Sequence, residues 1–245
     1  MATPKMPPIA AWEDPMYTMP QKLVAESIGT FTLTFIGAGS ICANQFMGED
    51  GGGILAIAAA HGLALAIAVT AVGHISGGHI NPAVTIAFWV TKKMGTVEAL
   101  LYWLAQIAGA IVAAYLLKGL LPADVWGPVS IGTPALAPDF TRAQGMILEG
   151  VLTFLLVFVV FATAVDERGA FGKIAGFAIG LTVAMDIYLG GPFTGAAMNP
   201  ARALGPALAS GFWANHGVYW VGPLAGGVVA GWLYDFVFLR KPTKG

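Results

Sequence analysis

The feature that most constrains this chain is a set of long stretches without a charged residue. Four of them lack Asp, Glu, Lys and Arg altogether, and they run over 27–48, 51–91, 99–117 and 203–234. A helix of about 20 apolar residues crosses the hydrocarbon core of a bilayer. Only 10% of all residues are charged, against about 25% in a soluble domain. Because too few polar side chains exist to cover a soluble surface, we expect an all-α polytopic membrane protein and no soluble enzyme.

The apolar pattern predicts six transmembrane helices and two shorter segments between them. The helices are placed at 22–43, 53–73, 96–118, 145–164, 171–190 and 217–239. The segments 74–91 and 191–212 are also apolar, but Gly and Pro interrupt them near their starts. Such a segment is tolerated at membrane depth only where it lines a cavity or is buried in protein. We therefore predict two re-entrant half-helices.

The basic residues predict the orientation in the membrane. Two of them, Lys118 and Arg142, fall on one side of the six-helix arrangement, and Arg202 lies within the membrane. Because basic loops stay in the cytoplasm, the tails 1–21 and 240–245 are both expected there, in a multi-pass protein of the cell membrane. The nine basic residues on the cytoplasmic side are Lys5, Lys22, Lys92, Lys93, Arg168, Lys173, Arg240, Lys241 and Lys244.

The two halves of the chain resemble each other. The motif Asn-Pro-Ala at 81–83 recurs at 199–201, and Gly62 recurs as Gly180, in both cases 118 residues later. Four such landmarks occur in one order at nearly one offset, which makes chance a poor explanation. The other two matches are Tyr102 with Tyr219 and Glu26 with Glu149.

Each repeat contributes three membrane spans and one half-helix. The first covers about 22–118 and the second about 145–239, and the loop 119–144 links them within one membrane domain, 22–239. Because three is an odd number, the second repeat must enter the membrane upside down, which gives an inverted 3+3 arrangement. Inverted repeats place a substrate path at their interface, near the bilayer midplane.

The Asn-Pro-Ala motifs indicate two helix starts that meet at this midplane. Proline suits the first turn of a helix, and Asn is a strong N-cap residue. Each helix N-terminus carries about half a positive charge, and the two Asn amides can donate N–H groups into a path. The loops before the motifs can offer backbone carbonyls as acceptors. The predicted residues are Asn81, Pro82, Ala83, Asn199, Pro200 and Ala201 for the motifs, and Gly77, Gly78, His79, Gly195 and Ala197 for the carbonyls.

These motifs resemble those of the aquaporins, the major intrinsic protein family. The resemblance is carried by HISGGHINPAV over 74–84 and GPFTGAAMNPAR over 191–202, and it extends over about 22–239. It implies a passive water channel with one pore in each subunit of a homotetramer. It also implies that Asn81 and Asn199 donate to the central water, while Arg202 adds a fixed positive charge at the outer constriction.

The same resemblance predicts the selectivity filter. Its positions in this chain are His61, Ile187, Ala196 and Arg202. In the strict water channels of this family, the first two positions are Phe and His. The set in this chain departs from that pattern. It is similar to plant vacuolar intrinsic proteins and to the animal ammonia-permeable branch. We expect the filter to pass water and small neutral solutes such as ammonia, with glycerol as a further candidate, and to exclude protons and ions.

Other ionisable residues leave several interpretations open. Glu26 and Glu149 lie inside predicted spans. They are interpreted either as struts beneath the re-entrant loops or as a proton relay. The repeat symmetry and the family resemblance favour struts. Asp186 is interpreted either as orienting the filter or as capping the next loop. The net charge of −1 implies no nucleic-acid partner. The single Cys42 excludes an intrachain disulfide, and we expect no cofactor and no metal site.

Two other functional classes compete with a passive channel. Secondary transporters also use inverted repeats with broken helices, and Asp186 is the one candidate for a coupling acid outside the symmetric Glu pair. An intramembrane hydrolase would need Ser76 with His74 or His79 as its base. The spacing of the two histidines across Gly-Gly also argues against a shared metal. The resemblance favours the channel.

Overall fold

The computed structural model describes residues 16–169 and 174–240, which are helical and contain no β-strand. α6 and α9 each continue into one π-helical turn, Phe161–Val165 and Asp235–Leu239. Along the chain the helices are α1 (Met19–Met47), α2 (Gly53–Ser76), α3 (Pro82–Val90), α4 (Thr96–Leu120), the short α5 (Ala123–Trp126), α6 (Arg142–Val160), α7 (Ala175–Thr194), α8 (Pro200–Ser210) and α9 (Val218–Tyr234).

Six of these helices are long and apolar enough to cross a membrane, namely α1, α2, α4, α6, α7 and α9. They present large apolar side chains outward: Ile67 is 64% exposed, Leu104 64% and Ile147 67%. Large contiguous apolar surface is rare on soluble monomers, and here it suits contact with lipid. The predicted all-α polytopic class with six membrane helices is confirmed.

The boundary between the fifth span and the second half-helix differs from the prediction. The Gly-Pro at 191–192 was expected to begin the re-entrant segment, but α7 continues through it to Thr194. A proline in the last turn removes only one helical hydrogen bond, and the helix ends instead at Gly195, whose φ of 82° forms a left-handed cap. The predicted start of this span at 171 lies outside the described residues.

The two repeats contact each other through equivalent glycines. α2 crosses α7 where a Cβ added to Gly62 would lie 2.6 Å from the carbonyl oxygen of Gly180, so only glycine allows this approach. Each of these residues is the repeat counterpart of the other. A residue that touches its own counterpart is the mark of a two-fold axis. The crossing of α2 with α7 therefore lies on the pseudo-two-fold axis that relates the inverted repeats.

Candidate functional site: a pore between two half-helices

The half-helices α3 and α8 begin at the two Asn-Pro-Ala motifs, and their Asn residues bind each other's loops. Asn81 Oδ1 accepts the backbone N–H of Ala83 at 2.8 Å, and Asn199 Oδ1 accepts that of Ala201 at 3.0 Å. Asn81 Nδ2 donates to the carbonyl of Met198 at 2.8 Å. Asn199 Nδ2 donates in turn to the carbonyl of Ile80 at 2.9 Å. Each amide group carries two N–H donors, and this bond uses one of them.

Glu26 on α1 holds the first re-entrant loop. Its carboxylate is fully buried. Its Oε1 accepts the hydroxyl of Ser76 at 2.7 Å and the backbone N–H of His79 at 2.9 Å. Its Oε2 accepts the backbone N–H of Ile80 at 2.7 Å and Gln106 Nε2 at 2.7 Å. Buried loop N–H groups are costly when unpaired, so this carboxylate fixes the loop just before Asn81.

Glu149 on α6 repeats this arrangement under the second loop. Its Oε1 accepts the hydroxyl of Thr194 at 2.8 Å and the N–H of Ala197 at 2.9 Å, and its Oε2 accepts the N–H of Met198 at 2.7 Å. Each partner lies 118 residues after its counterpart around Glu26. One partner has no equivalent, because Pro223 stands 117 residues after Gln106. With their carboxylate oxygens accepting loop donors in this way, both acids have the geometry of struts.

The four predicted filter residues line one cavity. Arg202 is 2% exposed. Its Nη1 donates to the carbonyl of Gly132 at 2.9 Å, and its Nη2 lies 3.1 Å from His61 Nε2. Because a guanidinium only donates, His61 Nε2 must accept. His61 Nδ1 then carries the proton and donates to the carbonyl of Ile57 at 2.9 Å. These bonds hold the imidazole and the guanidinium side by side across the path.

The loop after α4 supplies a contact that the sequence did not reveal. Its residues 130–132 form a turn in which Ile131 is fully buried with a φ of 55°. Gly132 has a φ of 68°, and a Cβ there would lie 2.9 Å from the Cα of Ala38. Only glycine fits this position without a shift. The loop 119–144 therefore reaches into the protein and positions Arg202 through the Gly132 carbonyl.

The cavity passes from the filter to the opposite end of the helix bundle. Its volume of about 30 Å³ exceeds what one water molecule needs. Among the described residues, the walls at the far end are formed by apolar side chains such as Val160 and Ala164. Asn81 and Asn199 line its middle, together with Gly77, Gly78, His79 and Ala197 of the predicted carbonyl set.

Gly195 of that set caps α7, and a Cβ on it would lie 2.8 Å from Pro134 Cβ. Its α-carbon therefore packs against the loop that precedes α6. The role of its carbonyl in the path stays a prediction. Ala196 and Met198 line the cavity beside Ala197.

Comparisons with known proteins decide the family. The model of the family described as "Major intrinsic protein" matches residues 15–234. The chain belongs to the major intrinsic protein family. Among its relatives, "Aquaporin TIP4-4" of Zea mays is 45% identical over 223 residues, covering 89% of this chain and 87% of the relative. "Aquaporin TIP2-1" of Arabidopsis thaliana is 42% identical over 221 residues, covering 88% and 86%.

A solved structure gives the same result for the fold. The aquaglyceroporin from Plasmodium falciparum superposes with a TM-score of 0.82 at 26% identity, covering 90% of this chain and 97% of that one. The predicted arrangement of six helices and two half-helices in inverted repeats is confirmed. As an aquaporin, the chain is a passive membrane channel and not an enzyme, so the transporter and hydrolase alternatives fall away.

The remaining ionisable groups of this aquaporin are placed as follows. Ser76 donates to Glu26 and accepts the N–H of Gly78 at 3.1 Å, so its hydroxyl is part of the loop support. His74 is exposed beside Tyr17, whereas His79 is buried, and the described residues hold no cluster of three metal-ligating side chains. Asp186 is 1% exposed and does not line the cavity, and its Oδ2 has no hydrogen-bond partner among the described residues.

Proposed function

We propose that this aquaporin conducts water and small neutral solutes through the cavity between its half-helices and excludes ions. The observation that carries the proposal is the placement of Asn81, Asn199 and Arg202 along one otherwise mostly apolar path. The relatives are named aquaporins, and the structural neighbour is named an aquaglyceroporin. Both names agree with a passive path for neutral molecules.

The two asparagines orient the permeating water. Each Asn is held by its own cap and by the opposite loop, so its second N–H has a fixed direction. A water oxygen between them accepts from both amides, which turns its hydrogens away from the neighbouring Asn. As is general for aquaporin-type pores, the positive ends of the half-helices and the filter Arg oppose cations and protons. Neutral molecules meet no such barrier.

The filter decides which neutral solutes enter. His61 and Arg202 provide polar contacts, while Ile187 and Ala196 are apolar. A solute that combines hydrogen-bonding groups with apolar surface is matched by both kinds of residue. Glycerol, with hydroxyls on a carbon chain, fits this description as the larger candidate, and ammonia is the smaller neutral candidate.

We therefore expect proteoliposomes containing this protein to take up ammonia and glycerol faster than empty liposomes of the same size. Ammonia entry is followed by the rise in internal pH reported by a trapped dye, and glycerol entry by light scattering after an osmotic step. Water conduction without uptake of either solute would restrict the channel to water. It would also show that the amphipathic filter does not admit larger neutral molecules.

The orientation that we propose places both termini in the cytoplasm. At one end of the bundle, Lys22 pairs with Glu98 at 3.2 Å and Lys93 pairs with Asp235 at 2.8 Å. Arg168 pairs there with Asp166 and lowers the pKa of that carboxyl to about 2. The positive-inside rule makes this end cytoplasmic. The predicted cytoplasmic residues Lys5, Lys173, Lys241 and Lys244 lie outside the described residues.

The proposal for location and assembly follows from the resemblance. The filter resembles that of vacuolar intrinsic proteins, so a vacuolar membrane is as compatible with the chain as the cell membrane. The charge rule keeps the termini in the cytoplasm in both cases. We propose a homotetramer with one pore per subunit, in which part of the exposed apolar surface of the outer helices packs against the neighbouring subunit.

A further inference from the structure

The pseudo-two-fold axis relates the four residues of the outer filter to four equivalent residues on the inner side of the asparagines. The offset of 118 residues relates Arg202 to Val84 and Ala196 to Gly78. It relates His61 on α2 to Ile179 on α7, and Ile187 on α7 to Val69 on α2. All four counterparts line the cavity, as the four filter residues do. The path is therefore enclosed by equivalent positions on both sides of its centre.

The two sets differ sharply in chemistry. The outer set contains a guanidinium and an imidazole, whereas the side chains of Val69, Ile179 and Val84 are aliphatic and Gly78 has none. The side chains of Val69, Ile179 and Val84 offer water no hydrogen-bond partner, and apolar constrictions in channels oppose the entry of water by dewetting. The symmetry thus pairs a polar filter with an apolar ring.

Phe88 adds the largest apolar side chain to this ring. It lies four residues after Val84 on α3, so both residues occupy one face of the helix, and both line the cavity. Phe88 is 2% exposed, and its ring packs against His79 with centroids 4.3 Å apart and against Phe161 at 5.2 Å. Its repeat counterpart, Pro206, is not among the lining residues. Packing on two sides holds the ring in place against the path.

The distance from the centre separates this ring from the asparagines. Val84 and Phe88 follow Asn81 by three and seven residues along α3, which corresponds to about 5 Å and about 10 Å of helix. Arg202 follows Asn199 by three residues along α8, which points the opposite way, so it lies about 5 Å from the centre on the outer side. A permeating molecule therefore meets the filter, the asparagines and the ring in succession.

We propose that Val69, Ile179, Val84 and Phe88 form a second, inner constriction, with Phe88 as its specificity-determining residue. This inference rests on the proposed function. The outer filter selects solutes by charge and by hydrogen bonding. The inner ring selects them by size and by the free energy that a polar solute loses when it gives up its hydrogen-bond partners. Because the two barriers act in series, widening the ring speeds the passage of water, whereas a solute that the filter rejects stays excluded.

Phe88→Ala tests this inference in proteoliposomes. We expect the water permeability per channel to rise about two-fold, because one of two comparable serial barriers is removed, while glycerol uptake is still limited by the filter. In the double variant Phe88→Ala with Arg202→Val, the fold increase in glycerol uptake should exceed the product of the fold increases in the two single variants. Phe177→Ala is the matched control, since Phe177 is 55% exposed on the outer surface of α7, and it should leave both fluxes unchanged.

A second variant keeps the inference testable if Phe88→Ala does not fold. The native Cys42 is fully buried, so Phe88→Cys offers one accessible thiol on the path. A neutral benzyl methanethiosulfonate reagent should abolish most of its water flux and leave the wild-type flux unchanged. Water conduction by the wild type, with unchanged flux in Phe88→Ala or in labelled Phe88→Cys, would overturn the inner constriction alone. Failure of the wild type to conduct water would instead overturn the proposed function.

Discussion

Arg202→Val is expected to raise glycerol uptake at least about ten-fold, which corresponds to about 1.4 kcal/mol of lost barrier, and to let small cations leak. The substitution removes the fixed positive charge at the outer constriction and frees the space of the guanidinium beside His61 and Gly132. Light scattering after an osmotic step measures glycerol entry. A trapped pH-sensitive dye measures proton leak under an imposed potential.

Two other arginine variants separate charge from geometry. Arg202→Lys keeps the positive charge but loses the two-pronged contact with Gly132 and His61, so we expect ion exclusion to persist while solute selectivity weakens. Arg142→Val removes a cation from an exposed position that contacts Asn215, and it should change neither flux. Glycerol and proton fluxes that stay at the wild-type level in Arg202→Val would show that the filter is placed incorrectly.

Glu149→Leu is expected to abolish the folded channel. The carboxylate accepts two buried backbone N–H groups, those of Ala197 and Met198, and the hydroxyl of Thr194. Each buried donor that loses its partner costs about 1–3 kcal/mol, and the affected loop carries Ala196 and leads into Asn199. Size-exclusion chromatography in detergent should show loss of the monodisperse peak, and any protein that is recovered should conduct no water above empty liposomes.

Two further substitutions serve as comparisons for Glu149→Leu, one at the equivalent acid of the other repeat and one at an exposed acid. Glu26→Leu should have the same effect, because Glu26 holds the first loop through His79 and Ile80. Glu167→Leu changes an exposed acid and should leave yield and flux unaffected. A Glu149→Leu protein that is as monodisperse and as permeable as the wild type would contradict the strut interpretation.

The sequence contained enough information to predict the architecture because the membrane limits the choices so strongly. Charge-free stretches predict spans directly, and the recurring Asn-Pro-Ala motif predicts two helix starts in equivalent positions. The family resemblance predicted the four filter residues, and all four line one cavity. These features depend on residue type and spacing, which a sequence shows.

The parts that the sequence did not reveal depend on backbone geometry and on packing. The contact from Gly132 to Arg202 is made by a backbone carbonyl in a loop without periodicity. The sequence did not distinguish Gly195 from the other loop glycines. In the structure, α7 continues past Pro192 and ends with Gly195 as its cap. Phe88 is an apolar residue on an apolar helix, and only the fold distinguishes a residue that lines the path from one buried in the core.

The measurement that tests the central claim most directly is the osmotic water permeability of proteoliposomes, taken by stopped-flow light scattering over a range of temperatures. A passive pore predicts faster shrinkage than in empty liposomes, with a lower activation energy and no dependence on a sodium or proton gradient. Shrinkage at the rate of empty liposomes, or a flux that saturates and needs an ion gradient, would contradict a water channel.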